Sequence, residues 1–517
     1  MRLNRYKLYL LAAILILFNA CAKHSEIWLN AALQLNPTPA LPLACDSTIT
    51  AAYGGGTGIS TDPYTICNVS QWLYLGTDSN SWNKYFKLYS DIDFTSVTIA
   101  TFKSIGTAGT PFTGQVDGNN FKLMNLNIIG TNTGLAFFTQ TNGNATFKNL
   151  TLKNITLTAT ARLAGLVLDH GNGGTITLTN VGLDTVNLKA NVASHKNGGL
   201  VANSLGPVII NTANLHSMIF TSASGTCRFN GALLGYSTGA VAISNVTGDT
   251  VGIVGGTNMQ QSGGIVGYIA ASATFSDINV TGITLPGSLM GGLASQVWYP
   301  TLISKVHLSG SIDGAVLGAG LIGEIVGNGT PLVVTESSFS GTLISTNGGG
   351  LFDTIYGGDV SISKSYFKGT MTSIWNGTGA GLVKNIQGTT NTLTITDSYV
   401  IADMTGIAGA SDTLGGLVGR SSPNVSISRS YFSGTLNGAG VNKACIGRTS
   451  GTTSFSTADV YYDSTLCTST ADTGGGTIVG STGIATATLQ TATPFTNWLA
   501  SAWTFTASQN PKLIWEP

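Results

Sequence analysis

Several short patterns in the chain have the residue types of chemistry. Gly318–Gly323, read GAGLIG, fits the G-x-G-x-x-G turn that cradles a dinucleotide, and Glu336 follows 18 residues after the first glycine, near where a ribose-binding acid stands. Ser361 and Lys364 fit S-x-x-K, the pairing of a nucleophilic serine with a lysine base. Asp353 and Asp359 flank a loop, and Asp169 adjoins His170. Carboxylates gathered on neighbouring strands are what glycoside-cleaving sites use for acid–base work. Asp91 and Asp93, in SDIDF, offer oxygen ligands of the kind calcium takes. The histidines His24, His170, His195, His216 and His307 are too dispersed for a metal set, and neither H-E-x-x-H nor C-x-x-C occurs.

Each of these chemistries needs a scaffold, and the sequence supplies a different one. A nucleotide turn must open a helix, yet EIVGNGTPLVV follows, with Gly327, Gly329 and Pro331 where the helix would run. The glycine frame is also not unique. NGGLVAN (197–203), NGALLGY (230–236), SGGIVGY (262–268), MGGLASQ (290–296), GGGLFDT (348–354), GAGLVKN (379–385) and LGGLVGR (414–420) repeat it. Weaker copies are TGLAFFT (133–139), LAGLVLD (163–169) and KACIGRT (443–449), which makes about eleven units spaced 28–35 residues apart. Ser361 and Lys364 lie inside the same repeat.

The second half of each unit reads apolar, small, polar, two variable residues, apolar, variable, Gly, as in ISRSYFSG (427–434) and ISKSYFKG (362–369). Apolar anchors five apart break the alternation of a single strand, so the chain turns a corner between them. Three short strands per coil predict an all-β, right-handed parallel β-helix of about eleven 28–35-residue rungs, stacked about 4.8 Å apart, with further rungs and capped ends. The corner position holds Asn149, Asn180, Thr212 and Asn245, then Asp277, Lys305, Glu336, Lys364, Asp397, Arg429 and Asp459. The first group predicts a ladder of turn-forming polar side chains. The second alternates in sign and predicts a continuous ladder of ion pairs that fixes register. VLDHGNGG, NSLGPVII and ACIGRTS, in the second, third and eleventh units, are the expected irregularities.

Charged residues make up only 9% of the 517, with 23 basic and 23 acidic. That composition lacks the basic surplus of a nucleic-acid binder. The first 20 residues read as an export signal, basic and then apolar but too short to span a membrane. LFNAC is similar to a lipoprotein processing site with Cys21 lipidated and anchoring the chain to a membrane; ordinary cleavage at Ala20-Cys21-Ala22 is the alternative. Residues 21–44 read as a tether, 45–130 as lead-in and cap rungs, 131–470 as the repeats and 471–517 as a C-terminal cap. Cys45 and Cys67 are 22 apart, as are Cys445 and Cys467, and disulfides there would staple the two ends; buried free thiols are the other reading, and Cys227 has no evident partner. Trp72, Trp82, Tyr85 and Phe86 are placed to cover one end, and Trp498, Trp503 and Trp515 the other. Phe112, Phe121 and Leu126 suggest one or two rungs before the repeats.

LGGLVGRSSPNVSISRSYFSGTL resembles the signature of the GLUG-motif family of bacterial surface proteins. The lead-in GTGISTDPYTICNVSQWLYLG and the closing WTFTASQNPKLIWEP also resemble that family, so the resemblance covers roughly residues 50–517. It implies a β-helix displayed on the cell surface, lipid-anchored at the outer membrane. The expected function is therefore non-catalytic display or adhesion toward a glycan or protein ligand, with no cofactor. The alternatives are a polysaccharide-active β-helix and a purely structural envelope protein.

Overall fold

The computed structural model describes residue 45 and residues 52–516, apart from 131–133, 161, 191–194, 223–226, 255–258, 328–330, 374–376, 388–391, 407–412, 422–423, 439–440, 450–453 and 471–476. Export signal, tether and Cys21 lie outside them. The described chain is a parallel β-solenoid. Strand Ile176–Ala190 pairs in parallel with Thr146–Ala159 on one side and Val208–Ser222 on the other, and the same relation carries on rung by rung to Thr477–Ile484. A second face is an 11-stranded parallel sheet of short strands from Phe138–Thr141 to Gly447–Thr449. Inward side chains form one column, from Ile66 through Phe147, Ile243, Phe339 and Ile395 to Phe455.

The corners follow from backbone conformation. All eleven corner residues from Asn149 to Asp459 are left-handed, with φ between 44° and 64°. The row starts one rung before the sequence frame has it, at Asn120 (φ 66°), whose N–H donates to Asn149 O at 2.9 Å. Asn and Asp tolerate this conformation; Lys, Glu and Arg take it here against preference, because neighbouring rungs capture their amides. Glu336 N donates to Ser363 O and Lys364 N to Thr396 O, both at 3.1 Å. A second corner lies five residues on, left-handed at Asn154, Thr185, Ser217 and Thr250.

The glycine frame is a bend between two short strands. A Cβ on Gly320 would meet Gly350 O at 2.1 Å, one on Gly350 Gly381 O at 1.8 Å, and one on Gly381 Gly416 O at 2.2 Å. At these three glycines the adjacent rung approaches too closely for a side chain. Their amides are taken up too: Gly320 N donates to Gly349 O and Leu321 N to Leu351 O. Nothing in GAGLIG is left to cradle a phosphate.

Two sequence expectations need correction, and one short helix stands among the strands. Helix α1 (Val69–Leu75) forms because Asn68 caps it, accepting from Gln71 N at 3.0 Å, and no glycine or proline interrupts it. It lays Trp72 edge-on against Phe94, Phe137 and Phe138, while Tyr85 stays exposed. The second and third units pair without a register shift; the eleventh is shifted as expected, and further shifts fall at Val280/Ile283, Gly287/Leu289, Gly314/Leu317 and Ser456/Val460. The C-terminal tryptophans cover a flank and not the end. The solenoid runs on to Thr477–Ile484, and the chain then folds back over Tyr461, Tyr431, Tyr399 and Tyr366. Trp498 Nε1 donates to Asp459 O, Trp503 Nε1 to Asp397 Oδ1 and Trp515 Nε1 to Lys364 O. Trp515 also stacks on His307, 4.5 Å between ring centres.

Candidate functional site

The residues with the most chemical promise are dispersed by the fold. Asp169 pairs with Arg162 and accepts from Asn203 Nδ2 at 2.8 Å. His170, next to it, points the other way, fully buried, with Nδ1 3.0 Å from Thr141 Oγ1 and Nε2 3.1 Å from Gly174 O. Burial holds its pKa below the ordinary histidine value. Asp and His here are no dyad. Asp359 accepts from Thr392 N and Oγ1 of the next rung, both at 3.0 Å. Asp93 accepts from the same two groups of Thr95, and Asp91 accepts from Lys122 N at 2.9 Å. Lys364 pairs with Glu336 at 3.6 Å, which removes both from the serine–lysine and ribose-ligand roles.

Asp353 is buried, with Oδ1 2.9 Å from Lys384 Nζ, itself buried, while Oδ2 has no hydrogen-bond partner. The sixth position of the glycine frame is Gly267, Gly323 and Gly419 in other rungs; Asp353 and Lys384 replace that glycine in two successive rungs and neutralise each other. Burial pushes the Asp353 carboxyl up to about 6. Glu324, one rung before, is also raised by burial and accepts from Gln296 Nε2 at 2.8 Å. Two carboxyls on adjacent rungs are the nearest the described residues come to a glycosidase pair, and one of them is sealed off from solvent.

The corner ladder is built of couples. Asp277 meets Lys305 at 4.0 Å, Glu336 meets Lys364 at 3.6 Å, and Asp397 meets Arg429 through two bonds of 2.7 and 2.8 Å. Among the described residues no ion pair links one couple to the next, so the ladder is not the continuous one expected. Asp459 instead accepts from Asn497 Nδ2 at 3.1 Å. In the earlier part, Asn180 Nδ2 donates to Asn149 Oδ1 at 2.9 Å, and Asn245 reaches Asn211, beside Thr212, at 2.8 Å. Next to the charges runs a buried serine ladder absent from the sequence reading: Ser337 N, Ser365 N and Ser398 N donate to Ser365 Oγ, Ser398 Oγ and Ser430 Oγ at 3.1–3.2 Å. Serine directly after the charged corners Glu336, Lys364, Asp397 and Arg429 was its signal. Cys45–Cys67 and Cys445–Cys467 are disulfide-bonded, and Cys227 is a buried thiol.

One surface gathers functional side chains from every rung. Along the 11-stranded sheet, register aligns Gln140, Asp169, Asn203, Tyr236, Tyr268, Gln296, Glu324, Thr354, Asn385, Arg420 and Arg448. Left-handed Lys196, Phe229 and Gln261 project beside it. Lys196 Nζ lies 4.0 Å from the Tyr236 ring centre, Tyr236 stacks on Tyr268 at 5.1 Å, and Phe229 packs against both.

No family model matches the chain. A stretch of 188 residues is 28% identical to halomucin of Haloquadratum walsbyi, covering 35% of this chain; the chain spans 2% of that protein's length. The crystal structure of a candidate immunoglobulin A1 protease from Bacteroides ovatus aligns over 90% of this chain and 96% of its own at 15% identity, with a TM-score of 0.19, too slight a likeness to argue from.

Proposed function

We propose that this chain is an exported, surface-displayed β-solenoid whose 11-stranded face is a non-catalytic binding surface for an extended ligand. The polar and aromatic row from Gln140 to Arg448 carries this reading, because it lines up one polar or ring side chain per strand of the 11-stranded sheet, most of them reaching solvent. Solenoids use such extended surfaces for recognition. Export and lipid attachment at Cys21 rest on the N-terminal sequence, and adhesion on the resemblance to GLUG-motif proteins. A polysaccharide-active reading would have to run on Glu324, since Asp353 is closed off by Lys384. Two measurements test the proposal. Antibody labelling of intact cells should detect the chain. An array of glycans and extracellular proteins should retain the purified protein, with mass spectrometry of the bound ligands showing no cleavage. Intracellular retention, turnover products or an empty array would each overturn it.

A further inference from the structure

The polar face is not uniform in charge. On the short strands Arg162–Leu163, Val167–His170, His195–Gly198, Val201–Ser204, Cys227–Gly231 and Leu234–Ser237, three cations, Arg162, Lys196 and Arg228, stand against one carboxylate, Asp169. Arg162 and Lys196 occupy equivalent places on successive rungs, as the bridge between Ala164 and Gly198 shows. Like charges one rung apart repel, and the corner ladder avoids that arrangement by alternating its signs. Here the repulsion is retained: Lys196 is desolvated and faces Arg162, and its pKa lies below that of an ordinary lysine for those two reasons in that order. Asp169, paired with Arg162, offsets part of that repulsion and is also linked to Lys196 through Asn203, whose Oδ1 accepts from Lys196 Nζ at 3.1 Å. Arg228 is exposed on the next rung, beside Phe229. The surplus positive charge therefore faces solvent on a chain with little charge elsewhere, and it abuts the Tyr236–Tyr268 stack.

We infer that Arg162, Lys196 and Arg228, with Phe229, Tyr236 and Tyr268, form a binding subsite for an anionic polysaccharide. The cations complement its carboxylate or sulfate groups, and the rings and phenol hydroxyls contact its sugar units. Linear polymers of this kind can follow the row from rung to rung, which a compact anion cannot. This inference rests on the proposed binding role of the face.

The test uses the full chain and three polymers: polygalacturonate for carboxylates, dextran sulfate for sulfates and uncharged dextran as control. Expected is retention of one or both anionic polymers but not dextran, weakened about tenfold or more by Lys196→Glu and by about 0.5 M salt. Lys305→Glu, in the corner ladder, should bind as the parent does, and thermal melts of all three variants, Arg228→Glu included, identify any loss due to unfolding. Retention that Lys196→Glu and Arg228→Glu leave unchanged would overturn the subsite, as would equal binding of dextran or tighter binding of single-stranded DNA. Retention of other array ligands without either anionic polymer would overturn the subsite while leaving the broader binding role in place. Retention of nothing would overturn both.

Discussion

Trp503 and Arg429 meet on one carboxylate: Asp397 Oδ1 accepts from the indole Nε1 at 3.0 Å and from Arg429 Nε at 2.7 Å. Asp397 is 5% exposed, whereas the side chains of the Asp277–Lys305 pair are about half exposed. Asp397→Ala should therefore cost about 2–4 kcal/mol, since it leaves a guanidinium and an indole N–H without their partner. Asp277→Ala should cost about 0–1 kcal/mol. Urea denaturation midpoints of the two variants compare them directly; equal shifts would contradict the difference in burial.

The glycine stack predicts a steric contrast. Gly350→Val must displace Gly381 O and Phe367, whereas Gly109 has open space around the added carbon. We expect Gly350→Val to destabilise by about 3 kcal/mol or more, or to prevent folding, and Gly109→Val to shift the melting temperature little. Ala232 and Cys445 occupy the stack position in their own rungs, so Gly350→Ala should fall between the two.

Asp353 and Lys384 form a double-mutant cycle with a pH signature. Either single change to Ala strands a buried charge and should cost about 3–5 kcal/mol, while the double change, which approaches the glycine of other rungs, should be near neutral. The Asp353 carboxyl holds its proton more tightly folded than unfolded, its value rising from 3.8 to about 6. Its contribution to stability is therefore fully present below about 4 and is lost as pH rises through about 6. Denaturation across that window should slope for the parent and flatten for the double variant.

The fold-back segment shields the stacked tyrosines. Tyr399 OH donates to Glu516 Oε2 at 2.7 Å, and Tyr431 OH to Pro511 O at 2.6 Å. Ending the chain at residue 485 would expose Tyr366, Tyr399 and Tyr431 along three rungs. We expect increased binding of a hydrophobic dye and a melting temperature lower by several degrees, with the β-sheet circular dichroism signal retained. Loss of that signal would mean the segment is needed to form the rungs at all.

Much of this could be read along the chain. The corner row from Asn149 to Asp459 was legible because apolar anchors five apart and a following glycine are local signals, and each of those residues is left-handed. The glycine frame was legible as a repeat, though its steric reason was not. The serine ladder was overlooked because its positions lay in the variable part of the frame, where each serine hydroxyl donates to a carbonyl two residues back and accepts from the serine N–H of the preceding rung.

What the sequence by itself determined is the coil: where the backbone turns, where it stays extended, and that units 28–35 residues long must stack to bury their apolar faces. These are properties of φ, ψ and side-chain alternation, which a few consecutive residues decide. Only the tertiary structure decided the partners. Arg429 pairs with Asp397 and not with Asp459, the last tryptophans turn back along a flank, and Arg162, Lys196 and Tyr236 share one face. Those choices depend on the lateral position of each rung over the last, to within an ångström or so. Segments of unequal length between strands set that position, and no count along the chain records it.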